Sequence, residues 1–111
     1  LTTGAGFQAL FHRGKRIERS SCLVLWMHAE HARRVGFAVS RQISRAVDRN
    51  RIRRRLREAY RAARGGAPAA AAIVIVGKKR VLDVEFEALV AELEGAFAVM
   101  AGSPPTPETP P

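Results

Sequence analysis

Residues 45-RAVDRNRIRRRLREAYRAAR-64 limit what this chain can fold into more than any other stretch. Eight arginines fall between Arg49 and Arg64, opposed only by Asp48 and Glu58. Like charges three and four residues apart destabilise a helix. The segment therefore needs an apolar stripe to hold it and a partner to justify the charge. The stripe is present. At 100° per residue, Leu56, Ala59 and Ala63 fall within about 40° of Ile52, with Tyr60 at their flank. Asn50, Arg53, Arg54, Arg57, Arg61 and Arg64 gather on the opposite side, and Arg49, Arg51 and Arg55 take the shoulders. Ser44 suits the N-cap, Asp48 the positive end, and Gly65-Gly66 the C-terminal stop.

The pairs Arg54–Glu58 and Glu58–Arg61 are worth a few tenths of a kcal/mol each, too little to neutralise such a face. A face meant only for solvent mixes both signs. Arginine throughout, where lysine would solubilise equally well, points to phosphate, which a guanidinium fork grips in bidentate fashion. The whole chain repeats the bias. It carries 19 Lys and Arg against 10 acids, a net charge of +9. All 19 basic residues precede Asp83, and residues 83–100 hold five acids and no base. One strongly positive side, with the last element turned away, is the layout that suits a polyanion.

Around that helix the pattern reads as a small α+β domain. Phe7, Leu10 and Phe11 have the spacing of a short helix ended by Gly14. Residues 15-KRIE-18 suit an edge strand. The stretch 21-SCLVLWMHA-29 is apolar on both faces and suits a central strand; 33-RRVGFAVSRQ-42 alternates and suits a half-buried one. The short gap between them predicts an antiparallel hairpin. A buried strand at 72-AIVIVG-77 precedes a last helix capped by Asp83, with Glu85 and Glu87 in its first turn. That helix has an apolar face of Phe86, Leu89, Val90, Leu93, Phe97 and Met100 and acids from Glu85 to Glu94 on its exterior. The order α-β-β-β-α-β-α implies a two-layer α/β sandwich. Residues 1–101 form one domain and the Pro-rich 102–111 a disordered tail.

Several function classes recede. No segment is apolar enough to span a bilayer, and LTTGAG has neither the charged nor the apolar region of a secretory leader. Cys22 stands alone, so no disulfide framework exists; a buried thiol in a reducing compartment is expected. His28 and His31 form H-x-x-H without a carboxylate or Cys at metal-ligand spacing. Gly65-Gly66 lacks the Lys-Ser/Thr of a phosphate-cradling loop. No pair of side chains makes an acid/base site, so neither a catalytic nor a metal residue is assigned.

The stretch 46-AVDRNRIRRRLREAYR-61 closely resembles the signature of the bacterial ribonuclease P protein subunit, an Arg-Asn-Arg core inside a basic helix. It follows 35-VGFAVS-40, which matches that family's Val-Gly-Phe-x-Val-Ser run. The resemblance extends to 7-FQALF-11, 23-LVLW-26 and 73-IVIV-76, across roughly residues 1–100; alanines replace the acid that commonly precedes the last of these. It implies a fold like the second domain of ribosomal protein S5, with a left-handed βαβ crossover at the basic helix that general connection rules disfavour. It implies a subunit that binds ribonuclease P RNA and the 5′ leader of precursor tRNA, assisting endonucleolytic removal of the leader. Mg²⁺ would be held mainly by the partner RNA, and the protein alone would be inactive. By the same resemblance, Arg49, Asn50, Arg51, Arg53, Arg54, Arg57 and Arg61 would bind RNA, and Phe7, Phe11 and Trp26 would face a leader cleft across the sheet. A cytoplasmic location, no membrane and no obligatory protein partner complete the expectation.

Single-stranded RNA calls for a positive groove and aromatic platforms, which Phe7, Phe11, Trp26 and Phe37 offer. Asn50 both donates and accepts, so it suits a phosphate, a base or a bound water. A general RNA-binding module explains the charge but not the two runs together. A DNA reader would concentrate its arginines on one base-facing edge. A membrane-surface helix would need large apolar residues free on its buried side.

Overall fold

The computed structural model describes residues 14–29 and 32–102. The helix expected around Phe7 to Phe11 and the Pro-rich tail from residue 103 lie outside them. Four strands and two helices follow: β1 (Lys15–Glu18), β2 (Cys22–His28), β3 (Arg34–Val39), α1 (Ala46–Ala63), β4 (Ala71–Gly77) and α2 (Phe86–Ala101). The result is α+β, with one sheet ordered β1-β2-β4-β3.

The expected hairpin of β2 with β3 does not form, because β4 lies between them. β2 and β4 pair antiparallel over seven residues each, from Cys22↔Gly77 to His28↔Ala71. Both runs are apolar on both faces, so each is best buried with neighbours on either side. The described ends of the link from β2 to β3 both bond the residues just ahead of β4. Ala29 N–H donates to Ala70 O at 3.3 Å and Arg33 N–H to Ala69 O at 3.0 Å. Two strand spacings are about 10 Å, well within the reach of five residues. β3 then runs parallel to β4, with Val35 opposite Ile73 and Phe37 opposite Ile75. Parallel neighbours need a long crossover, and α1 is that crossover.

Both helices cover one sheet face. α1 buries Ile52, Leu56, Ala59 and Ala63, as its stripe predicts; α2 buries Leu89, Leu93, Ala96, Phe97 and Met100. They meet Cys22, Val24, Trp26, Ile73 and Ile75 from the sheet. Gly77 lets α1 press onto the end of β4: a Cβ there would stand 2.9 Å from Leu56 Cδ1 and closer still to Ile52 Cγ2. Phe86 is 39% exposed and leaves the expected face; Val81, Leu82 and Val84 fill the core ahead of it.

Both helix starts differ from expectation. Arg45, not Ser44, occupies the N-cap of α1, and no side chain caps it. Buried Ile43 and a turn closed by Ile43 N–H to Ser40 O (3.1 Å) set where the chain enters the helix. α2 is preceded by Glu85, not Asp83. Residues Lys79–Leu82 coil into a 3₁₀ turn that buries Val81, which delays the helix. Glu92, expected outside, is half-buried and accepts from Ser21 N–H and Oγ–H at 2.8 Å each. It ties the β1–β2 turn to α2. Burial pushes the neighbouring Cys22 thiol up to about 12, with the Glu92 charge adding to the effect.

Candidate nucleic-acid interface

The arginines of α1 divide into two groups. Arg49 turns back along the chain, its Nη1 donating to Ser40 O at 3.2 Å and Ile43 O at 2.8 Å. It braces the start of the helix where a serine cap was expected. Arg55 donates through Nη2 to Val84 O, locking α1 to the turn before α2. These two are largely structural. Asn50, Arg51, Arg54, Arg57 and Arg61 are exposed and Arg53 half-buried. Arg54 meets Glu58 at 3.6 Å, with both side chains more than half exposed, so the pair contributes little. The Arg57 guanidinium lies 5.8 Å from the Phe37 ring centroid. Arg51, Arg53 and Arg61 have no partner among the described residues. Asn50, Arg54, Arg57, Arg61 and Arg64 thus form a stripe along about 21 Å of helix.

The face of the sheet away from the helices is apolar. Strand alternation places Leu23, Leu25 and Met27 there beside Ala38, Ala72, Val74 and Val76. Register puts exposed Arg16 opposite Leu25 on one edge and exposed Arg34 opposite Ala72 on the other. Trp26 does not share this face. It is 1% exposed, packed with Cys22 and Val24 on the helix-covered side. Lys15 Nζ sits 5.2 Å above its ring and His28 meets its edge at 5.0 Å. The same two-residue period that makes β2 a strand removes Trp26 as an open platform. Phe37, half-buried, contacts Tyr60 and Arg57 on the helix side. Phe7 and Phe11 lie outside the described residues.

A basic group that sequence reasoning passed over follows β4. Lys78 is held by Glu18 and by Arg19 O; that contact lowers the Glu18 carboxyl below its ordinary range. Lys79 and Arg80 are exposed, and Lys79 lines a hollow with Gln42, Arg45 and Asp48 at the start of α1. Three consecutive basic residues after a strand were the available signal. Among the described residues no group of three or more His, Cys, Asp or Glu side chains converges, and no helix is long and apolar enough to cross a membrane.

Known proteins share this chain's sequence pattern and fold. The family model for ribonuclease P matches residues 1–101. The ribonuclease P protein component of Symbiobacterium thermophilum is 33% identical over 99 residues, 87% of this chain and 86% of that protein. The ribonuclease P protein component of Desulfovibrio desulfuricans is 41% identical over 76 residues, covering 66% of this chain and 58% of its own length. Among solved structures, the RNase P protein of Staphylococcus aureus superposes with a TM-score of 0.74 at 22% identity, over 90% of this chain and 93% of that one. The RNase P protein of Thermotoga maritima does so at 0.72 and 25% identity, over 82% and 87%. A family match over nearly the whole chain, the shared fold and a one-sided arginine helix together show that this chain belongs to the ribonuclease P protein family, the protein component of the tRNA 5′-processing endoribonuclease that partners ribonuclease P RNA.

Proposed function

We propose that the outer stripe of α1 binds ribonuclease P RNA and that the open sheet face receives the 5′ leader of precursor tRNA. One observation carries this reading: the stripe of Asn50, Arg53, Arg54, Arg57 and Arg61 has a single acidic partner, Glu58, among the described residues. Desolvated against phosphates, each of these arginines releases counterions from the RNA. Arg51 joins from the shoulder, and Arg49 adds charge while bracing the helix. The leader, single-stranded, would lie on the apolar strip of Leu23, Leu25, Val74 and Val76 between Arg16 and Arg34. Phe7 and Phe11 supply aromatic platforms in this reading; Trp26, sealed in the core, supports β2 from behind.

In this reading Mg²⁺ is held mainly by the partner RNA, where it would activate the attacking water and stabilise the leaving oxygen. The protein screens two RNAs from each other and positions the substrate, needs no further protein partner, and works where the RNA is made, in the cytoplasm.

The test is leader cleavage of a precursor tRNA by a bacterial ribonuclease P RNA at low Mg²⁺, with and without this protein. Stimulation by the protein, with no cleavage by the protein alone, is expected. Cleavage by the protein alone would overturn the inert-subunit reading. Tight, salt-dependent RNA binding without stimulation would favour a general RNA-binding module.

A further inference from the structure

The arginine stripe does not end with α1. Arg57, Arg61 and Arg64 follow one another at i, i+4 and i+7, and beyond Arg64 the surface falls into an open cleft of about 600 Å³. Arg33, Tyr60, Arg64 and Gly65 line it. Arg33 arrives from the link between β2 and β3, a part of the chain remote from the helix in sequence. Its Nη1 donates to Ala67 O and Pro68 O at 3.1 Å each. Its guanidinium carbon stands 5.9 Å from the Tyr60 ring centroid. Tyr60 is in turn fixed edge-on by Phe37 at 5.8 Å and Phe97 at 6.0 Å.

These contacts orient Arg33 while using only one of its nitrogens. The Nε–Nη2 edge, a fork that matches two oxygens of a phosphate, has no partner among the described residues, and neither nitrogen is both buried and unpaired. The Arg64 side chain is exposed and likewise unpartnered there. Among the described residues no acidic side chain lines the cleft. The carbonyl pole of α1 lies nearby and disfavours an anion by roughly half an elementary charge; Arg33 meets the two carbonyls beyond that pole, and Arg61 and Arg64 add further positive charge. A guanidinium fixed before its ligand arrives loses less freedom on binding than a free surface arginine.

We propose that Arg33 and Arg64 clamp one phosphodiester of RNA at the C-terminal end of α1, with Tyr60 as the residue that positions Arg33. This rests on the RNA-binding reading of α1 and extends the interface to a second segment of the chain. Arg64→Ala removes charge from an exposed position without touching the fold. Arg33→Gln keeps an N–H donor for Ala67 O and Pro68 O and removes the fork. Binding of ribonuclease P RNA is measured against salt for the full chain, for R33Q/R64A, for R64A alone, and for Arg57→Ala as reference. The double variant is expected to lower the log–log salt slope by about 0.7–0.9, one phosphate contact, and R64A to weaken binding severalfold. An unchanged slope in R33Q/R64A and R64A, alongside a lowered slope in R57A, overturns the clamp and leaves the helix reading standing. Unchanged slopes in all three overturn both.

A second measurement separates the source of the phosphate. The Arg33 Nε–H resonance is followed by NMR during titration with a short oligoribonucleotide, then with inorganic phosphate at matched ionic strength. A saturating shift with RNA, and at most a weak one with phosphate, supports the clamp. An equal shift with phosphate alone makes this a free-anion site and overturns the RNA assignment. No shift with either overturns the clamp.

Discussion

Replacing Arg53 and Arg57 by alanine tests the physical core of the functional reading. Neither residue donates a hydrogen bond within the described part of the protein; Arg57 has only its approach to Phe37 at 5.8 Å. Losing that contact costs about 0.5–1 kcal/mol. Alanine is the better helix former and offsets part of it, so the melting temperature should move by a few degrees at most. RNA binding should respond differently. If each arginine neutralises one phosphate, the salt slope falls by about 0.7–0.9 per residue, or roughly 1.4–1.8 for the pair. Between 50 and 200 mM monovalent salt, the loss of affinity in the double variant should then be about tenfold smaller than in the parent. The assay is equilibrium binding to ribonuclease P RNA at four or five salt concentrations, with unfolding followed in parallel. An unchanged slope with intact folding would put both arginines in solvent in the complex and refute the argument.

Arg49→Ala should show the opposite pattern. It loses the bonds to Ser40 O and Ile43 O, a cost of about 1–2 kcal/mol in urea unfolding, while shifting the salt slope less than Arg57→Ala; a stability change within 0.3 kcal/mol would show that the brace is idle, at the usual precision. Gly77→Ala drives a methyl into Ile52 and Leu56 and should destabilise by about 1–3 kcal/mol; a neutral result would mean that α1 slides freely on the sheet. The Cys22 thiol, pushed up to about 12 by burial, should resist alkylation at pH 8 in the native protein and react on denaturation. Unfolding releases it to its ordinary range, so its contribution to stability is complete below about pH 9 and declines as pH rises toward about 12. Rapid native alkylation would contradict the burial.

Local pattern was enough for much of this protein. The 3.6-residue period over residues 46–63 identified both the buried stripe and the arginine stripe of α1, because both follow from helix geometry alone. The apolar runs 21–29 and 72–77 are legible as interior strands for the same local reason, and β2 and β4 form there. Two contiguous runs, 35-VGFAVS-40 and the Arg-Asn-Arg helix, sufficed for the family.

What the sequence left open depends on contacts between distant residues. Sequence adjacency suggested β2 with β3, yet a longer apolar ladder with β4 wins, since pairing free energy follows burial and not chain distance. Residue type and the family resemblance both suggest a platform at Trp26, whereas its face is set by its strand phase and by what covers the sheet. The arginines look alike in sequence, but Arg49 and Arg55 are spent on carbonyls that only the turns at Ser40–Ile43 and Val84 bring near. Arg33 joins Arg64 because its bonds to Ala67, Pro68 and Ala69 carbonyls hold it beside the end of α1. Charge and period are properties of the chain; which charges remain free for RNA is decided by the tertiary structure, because a buried carbonyl claims a nearby guanidinium before any ligand arrives.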